Sequence, residues 1–416
     1  MLTISNLDNF QSIIISFCKN KCDKSWVKRK RIASTLNILS TLCALVTGNN
    51  SRGLPECLLK SANTMTPSGF CRARKKLMWQ SIRTLFQLVL KQFNLLTTKK
   101  FLWNGHRVFT VDGTRIALPL SFKKIKYKAK GLSFYPYGTL SVLYQLKCEI
   151  PYDLILARHG DERLLASHHL NRLKQEDVVV YDRGYFSFKG LAQHLDSHIH
   201  AVFRLSKKAF KQASEFYTNS ERDKIVTIMF KDKPYSIRLV KYTIGSKKYI
   251  LGTTLLDASY TVLKLKSLYH KRWGIEEFFK KVKQTYQIEE FHSKNSNGIH
   301  QELWTMMFCN LITKIFEYVT NSKPNKNRSP RKVKKYNQKA MTYILNDMIL
   351  PLILRDFKIV QSTALKAVLV SIKRLEYNCY PGRVFPRFSK KIESKWRKRT
   401  KKAFTAKSLG KSISSA

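Results

Sequence analysis

Acidic side chains are scarce in this chain. Asp and Glu together number 27 against 77 Lys and Arg, leaving a formal charge of +50. That excess is far beyond what solubility needs, and it repels itself unless a polyanion neutralises it. Nucleic acid is the first partner such a surface implies, and an anionic membrane surface the second. Long apolar runs are missing too. None reaches the roughly eighteen residues of a membrane span. The opening residues MLTISNLDNFQSIIISF carry no basic leader before their short apolar run, so no secretory signal peptide is expected. Cysteines are few and scattered. Only Cys18 and Cys22 lie close together, and no Cys or His pair stands near them at zinc spacing. Reduced, mostly buried thiols in a cytoplasm are the expectation. The histidines show no metal-ligand pattern, and adjacent His168 and His169 would diverge on a helix, so zinc is not expected. There is no glycine-rich phosphate loop with its lysine, so no ATP-driven step is implied, and there is no internal repeat.

What is present is enough for several domains. The chain has 416 residues, 44% of them hydrophobic, so sizeable cores are within reach. Residues 1–98 read as a helical, DNA-binding region. Arg31 to Val46 is amphipathic, and Gly48 to Gly53 breaks it. A new helix opens where Thr66 can cap and Pro67 suits the first turn. Arg72, Arg74, Lys75 and Lys76 follow on that helix. It is either the recognition helix of a helix-turn-helix or a solvated basic helix.

From Lys100 the period changes to that of strands. Arg107 to Asp112 reads as a strand ending at Asp112, with Gly113-Thr114 turning the chain. Thr139 to Leu146 and Tyr152 to Arg158 follow as strands, with Pro151 between them, and KKIKYKAK lies before them in a basic loop. Arg163 to Lys174 reads as a helix. Asp177 to Asp182 is a short apolar run of the kind covered on both faces. Ser187 to Asp196 is another helix and His200 to Leu205 another strand. Three strands, helix, strand, helix, strand is an α/β order. Residues 207–263 then alternate as short strands, a β-rich insertion. Gly298 to Val319 reads as a long helix. Ser322 to Lys335, with seven basic residues, two prolines and no acid, is a flexible linker. Two further helices follow between Ala340 and Tyr377. Arg383 to Lys402 is a basic tail interleaved with Phe385, Phe388 and Trp396.

The remaining stretch, Tyr269 to Lys283, is YHKRWGIEEFFKKVK, and it reads as one amphipathic helix. Leu268, Ile275, Phe278, Phe279, Val282 and Tyr286 fall on one apolar stripe. Tyr269, Arg272, Glu276 and Lys283 fall on a narrower stripe beside it, within roughly 60° of one bearing. Glu277 is turned about 100° from Glu276, which selects Glu276 as the acid of that line. Taken alone, Arg272 and Glu276 would be an ordinary i,i+4 ion pair.

Cleaving and joining phosphodiesters needs an activated oxygen nucleophile and charge neutralisation at phosphorus, which two Mg²⁺ about 3.5–4 Å apart supply. Mg²⁺ takes oxygen ligands, so about three acids must converge on rigid elements. Asp112 and Asp182 end the first and fourth core strands. If those strands are parallel neighbours, both carboxylates emerge at one edge, which the helix bearing Glu276 would cross. Asp177 begins the same strand as Asp182 and would point to the opposite edge.

Tyr, two residues, Arg, three residues, Glu, six residues, Lys is the YREK spacing. It resembles the signature of bacterial DDE transposases of the insertion-sequence-four family. RWGIEEFFKKVK, DRGYFS and HGDERLLASHH resemble that family as well, and the likeness runs from Val108 to Leu311. The resemblance implies a ribonuclease-H-like α/β core over 99–206 and 264–320, with the β-rich insertion at 207–263. Helical flanks lie at 1–98 and 321–416. It places the catalytic, metal-binding acids at Asp112, Asp182 and Glu276, holding two Mg²⁺ ions with Mn²⁺ able to substitute. Tyr269, Arg272 and Lys283 are then DNA contacts, with Tyr269 alternatively orienting an acid. Trp273 stacks on a base or packs. Glu162 is a structural partner rather than a fourth ligand. The partners implied are terminal inverted repeats and target DNA, held by a homodimer, in a nucleoid-associated enzyme without a membrane. In that family both element ends are freed through hairpin intermediates and joined to target. A tryptophan of the insertion stacks on a displaced base there. No Trp lies between Arg204 and Trp273, so Tyr or Phe takes that role or it is absent. The alternatives are a metal-dependent nuclease on the same core and a DNA-binding protein without catalysis.

Overall fold

A computed structural model describes residues 2–20, 34–47, 53–60, 65–129, 133–158, 160–321, 333–354 and 363–379. The expected basic linker up to residue 332 and the basic tail after residue 379 lie outside them, as does Cys22. The chain divides into two compact units, one of residues 94–115 and 139–281, the other of 1–93, 116–138 and 282–416. Among the described residues no helix is long and apolar enough to cross a membrane.

The second of these units is helical. Its central helix, Ser296–Thr320, is buried on every side, from Ile299 through Trp304 and Phe308 to Phe316. A helix apolar all round must be enclosed, and the helices Asn6–Asn20, Thr35–Thr47 and Pro67–Lys76 belong to the same unit. Trp79 stacks on Trp304 with centroids 6.4 Å apart. The helix Pro67–Lys76 begins as its sequence dictates: the Thr66 hydroxyl accepts from the Gly69 amide, and Pro67 occupies the first turn.

The other unit is built on a mixed sheet. Its strands are β1 (Val108–Ala117), β2 (Tyr137–Gln145), β3 (Ile150–Ala157), β4 (Val178–Tyr181), β5 (His200–Leu205), β6 (Asp223–Phe230), β7 (Lys233–Ile244) and β8 (Lys247–Thr253). They lie in the order β3-β2-β1-β4-β5-β8-β7-β6. β1, β4 and β5 are parallel, with Val108 beside Val178 and Val178 beside His200. β4 reads Val-Val-Val-Tyr and is buried throughout, as a strand covered on both faces must be. Helices Glu162–Leu170 and Phe188–Asp196 supply the crossovers. Pro151 falls inside β3, which is tolerated because β3 is an edge strand.

Two expectations are corrected. β1 does not stop at Asp112 but runs on to Ala117. Gly113-Thr114 makes no turn, because the chain stays extended after its neighbour β4 has ended. The strands of the β-rich segment 207–263 join the core sheet, β8 pairing with β5 through Val202–Leu205. The stretch Tyr269 to Lys283 is not one unbroken α-helix. Helix Val262–His270 passes through a 3-10 turn, Lys271–Trp273, into helix Gly274–Gln284. His270 and Gly274 both keep right-handed helical backbone angles, so the axis continues and the apolar stripe survives. Leu268, Ile275, Phe278, Phe279, Val282 and Tyr286 are all buried.

Candidate active site

The parallel register sets the first two acids level. Thr110 stands beside Val180, and two residues further along each chain come Asp112 and Asp182. Asp182 follows the last residue of β4 and caps the 3-10 turn Arg183–Tyr185, its Oδ1 accepting from the Arg183 amide at 2.8 Å. Glu276 is in the first turn of helix Gly274–Gln284.

One guanidinium meets all three. Arg272 Nη1 lies 3.5 Å from Asp112 Oδ2. Its Nη2 lies 3.7 Å from Asp182 Oδ2 and 2.7 Å from Glu276 Oε1. The Arg272 side chain is 5% exposed, whereas Asp112, Asp182 and Glu276 are 23%, 37% and 33% exposed. The cation therefore lies at the base of the cluster and the carboxylates form its rim. Tyr269 Oη donates to Asp182 Oδ1 at 3.0 Å, and Arg204 Nη1 lies 3.7 Å from the same oxygen. Glu277 turns away, is mostly exposed, and pairs with Lys280.

The two aspartates titrate in opposite directions. Burial pushes Asp112 up to about 6, and the neighbouring Glu162 and Asp182 charges push the same way against the Gly113 amide and Arg272. Burial also pushes Asp182 up, but the Arg183 amide, Arg272, the Tyr269 hydroxyl and Arg204 outweigh it, and the carboxyl ends below its ordinary value. Tyr269 is pushed up to about 12, first by burial and then by the Asp182 charge. It stays a neutral donor at physiological pH. The donor set fits a hard divalent cation: carboxylate oxygens from three rigid elements, partly open to solvent, around a point where positive charge is already accommodated.

Other side chains named from the sequence fall differently. Arg272 and Tyr269 are 5% and 7% exposed and face the acids. Three carboxylates in a half-buried site hold the Arg272 guanidinium by charge-assisted contacts. Lys283 is half-buried further along the same helix. Trp273 is 55% exposed, so it does not pack in the core. On helix Pro67–Lys76, Arg72 and Lys75 are exposed. Arg74 is a correction: it is 7% exposed and donates to Gln301 Oε1 at 2.9 Å, the Gly298 carbonyl at 2.9 Å and Glu302 Oε1 at 2.8 Å. Sequence reasoning missed Arg204. Its signal was positional, because β5 follows β4 in the parallel array and the end of β5 meets the same edge.

Residues 103–312, half of the chain, match the family described as the transposase DDE domain. A Synechocystis sp. protein provisionally named as the transposase for insertion sequence element IS4SA is 21% identical over 323 residues, covering 74% of this chain and 88% of that protein. A piggyBac transposase in a synaptic complex with hairpin DNA is a structural neighbour, with a TM-score of 0.46 and 13% identity over 94% of this chain and 88% of the other. The chain belongs to the transposase DDE domain family and is a DNA transposase, an enzyme of phosphodiester cleavage and strand transfer.

Proposed function

We propose that this transposase excises and inserts an insertion sequence by a cut-and-paste route, with Asp112, Asp182 and Glu276 as its catalytic acids. DDE transposases use divalent metal ions, and we assign two Mg²⁺, replaceable by Mn²⁺, to these carboxylates. When bound, such ions lower the pKa of the attacking water or hydroxyl and neutralise charge at the phosphorus. The observation that carries the assignment is the single Arg272 guanidinium within 3.7 Å of an oxygen of each acid.

The chain's own residues then have distinct tasks. Tyr269 and the Arg183 amide fix the orientation of the Asp182 carboxylate. Arg272 holds the three acids together against their mutual repulsion. Lys283, Arg72 and Lys75 bind phosphates as point charges. Trp273 and the stacked pair Tyr242–Tyr249, 5.5 Å apart with Arg204 over Tyr249 at 5.2 Å, offer faces to an unpaired base.

The spacing of Tyr269, Arg272, Glu276 and Lys283 supports placement in the insertion-sequence-four family. The parallel array β1-β4-β5, with β2 and β3 beside it, supports a ribonuclease-H-like core. By that reading residues 1–98 bind DNA, 99–206 and 264–320 are catalytic, and 207–263 are an insertion. The substrates are terminal inverted repeats and target DNA, held by a homodimer at the cytoplasmic nucleoid. A strand-transfer assay on paired terminal repeats with Mg²⁺ tests the proposal. Joined products that vanish in Asp182→Asn, while end binding persists, are expected. Cleavage without joining would replace it with a nuclease.

A further inference from the structure

The strand ends opposite the acids carry a second constellation. His106 precedes β1, Glu176 precedes β4 and His200 opens β5. One ligand atom from each lies within 4.8 Å of the other two. His200 Nε2 is 3.2 Å from Glu176 Oε2, and His106 Nδ1 is 3.9 Å from the same oxygen. The two rings stand edge to face with centroids 5.3 Å apart. These residues are distant in sequence, so no spacing could announce them, and zinc was not expected from the sequence. The fold brings them together because β1, β4 and β5 are parallel neighbours and start at one level.

We propose that His106, Glu176 and His200 form a binding site for a zinc-class divalent ion, separate from the carboxylate site. Ligands held about 2.0–2.2 Å from a tetrahedral zinc lie about 3.3–3.6 Å from one another, and the two distances to Glu176 bracket that span. Two imidazoles and one carboxylate suit Zn²⁺ or Ni²⁺ and disfavour Mg²⁺, which wants oxygen throughout. The outer contacts that orient ligating histidines are in place. His106 Nε2 is 2.7 Å from Tyr260 Oη, and His200 Nδ1 is 3.4 Å from Thr254 Oγ1. His106 Nδ1 now lies 2.6 Å from the Glu176 carbonyl, to which it donates. Capture of a metal at Nδ1 breaks this bond and turns the ring off the carbonyl, which otherwise stands where the ion must sit; the proton passes to Nε2, where Tyr260 Oη turns from donor to acceptor, so the ring stays neutral. Asp177, the nearest other acid in sequence, is excluded because Arg107 Nε holds its Oδ1 at 2.8 Å. A bound ion would tie the starts of three strands whose far ends position the acids.

The test titrates Zn²⁺ into the untagged full chain in excess Mg²⁺, which occupies the carboxylate site. The same titration is run on His200→Ala and on Glu176→Gln. Glu176 has a side chain 69% exposed, so its change to Gln leaves the fold intact. The wild type is expected to take up one equivalent more than either variant, and only its thermal midpoint should rise with zinc. Equal uptake by wild type and Glu176→Gln, or an Asp112→Asn variant that loses the same equivalent, overturns the site.

Discussion

Replacing Asp112 by Asn should make the metal-free protein more stable while abolishing its chemistry. The folded state holds the Asp112 proton more tightly than the unfolded chain does, since its carboxyl moves from an ordinary 3.8 to about 6. The ionised carboxylate therefore opposes folding at neutral pH. The opposition is absent below the unfolded value, grows as pH rises through the interval between 3.8 and 6, and is complete above it. At 1.36 kcal/mol per pKa unit the interval corresponds to ~3 kcal/mol, an upper figure because the side chain keeps some solvent screening. Asn keeps the shape and removes the charge. Urea unfolding in EDTA at pH 7.5 should show Asp112→Asn gaining about 1–3 kcal/mol over wild type, with the gain falling to a small fraction of that near pH 4. Added Mg²⁺ should close the gap by stabilising only the wild type. A variant less stable than wild type at pH 7.5, or a gain undiminished at pH 4, would refute the reasoning, because it would mean that burial does not oppose the ionised form.

Glu276→Gln should abolish cleavage and spare binding of element ends, whereas Glu277→Gln, altering an exposed partner of Lys280, should stay active; a gel assay of nicking and of shift separates them. Arg74→Ala removes the buried partner of Glu302 and should destabilise by about 3–5 kcal/mol in urea unfolding. Arg72→Ala should leave stability unchanged and weaken DNA binding instead. End binding should weaken steeply with salt, log K falling linearly with log salt, and a flat response in fluorescence anisotropy would contradict the charge argument.

Much of this was readable before any coordinates. The stripe from Leu268 to Tyr286 is buried as its 3.6-residue period demands, and the alternation of β-branched runs with helices located β4 and β5. What local pattern could not convey was where partners end. β1 continues past Asp112 although Gly113-Thr114 has the look of a turn, because extension there is decided by neighbouring chain rather than by propensity. Likewise nothing within residues 207–263 announces that β8 would pair with β5. Arg74 is indistinguishable from Arg72 and Lys75 by composition. Only the presence of Glu302 and Gln301 on a distant helix draws it inward. The meeting of Arg272 with three acids depends on contacts 90 or more residues apart in two cases, a separation no periodicity spans.

The pairing of β8 with β5 has a mechanical consequence. Because the strand order runs without a break from β1 to the far strand β6, the inserted strands β6, β7 and β8 form an arm joined to the core by backbone hydrogen bonds and not by its chain ends alone. DNA seated on that arm would sit at a set reach from the carboxylates of Asp112, Asp182 and Glu276. A shift of the arm would be felt at Asp182 through Arg204 on β5, whose Nη1 lies 3.7 Å from its Oδ1.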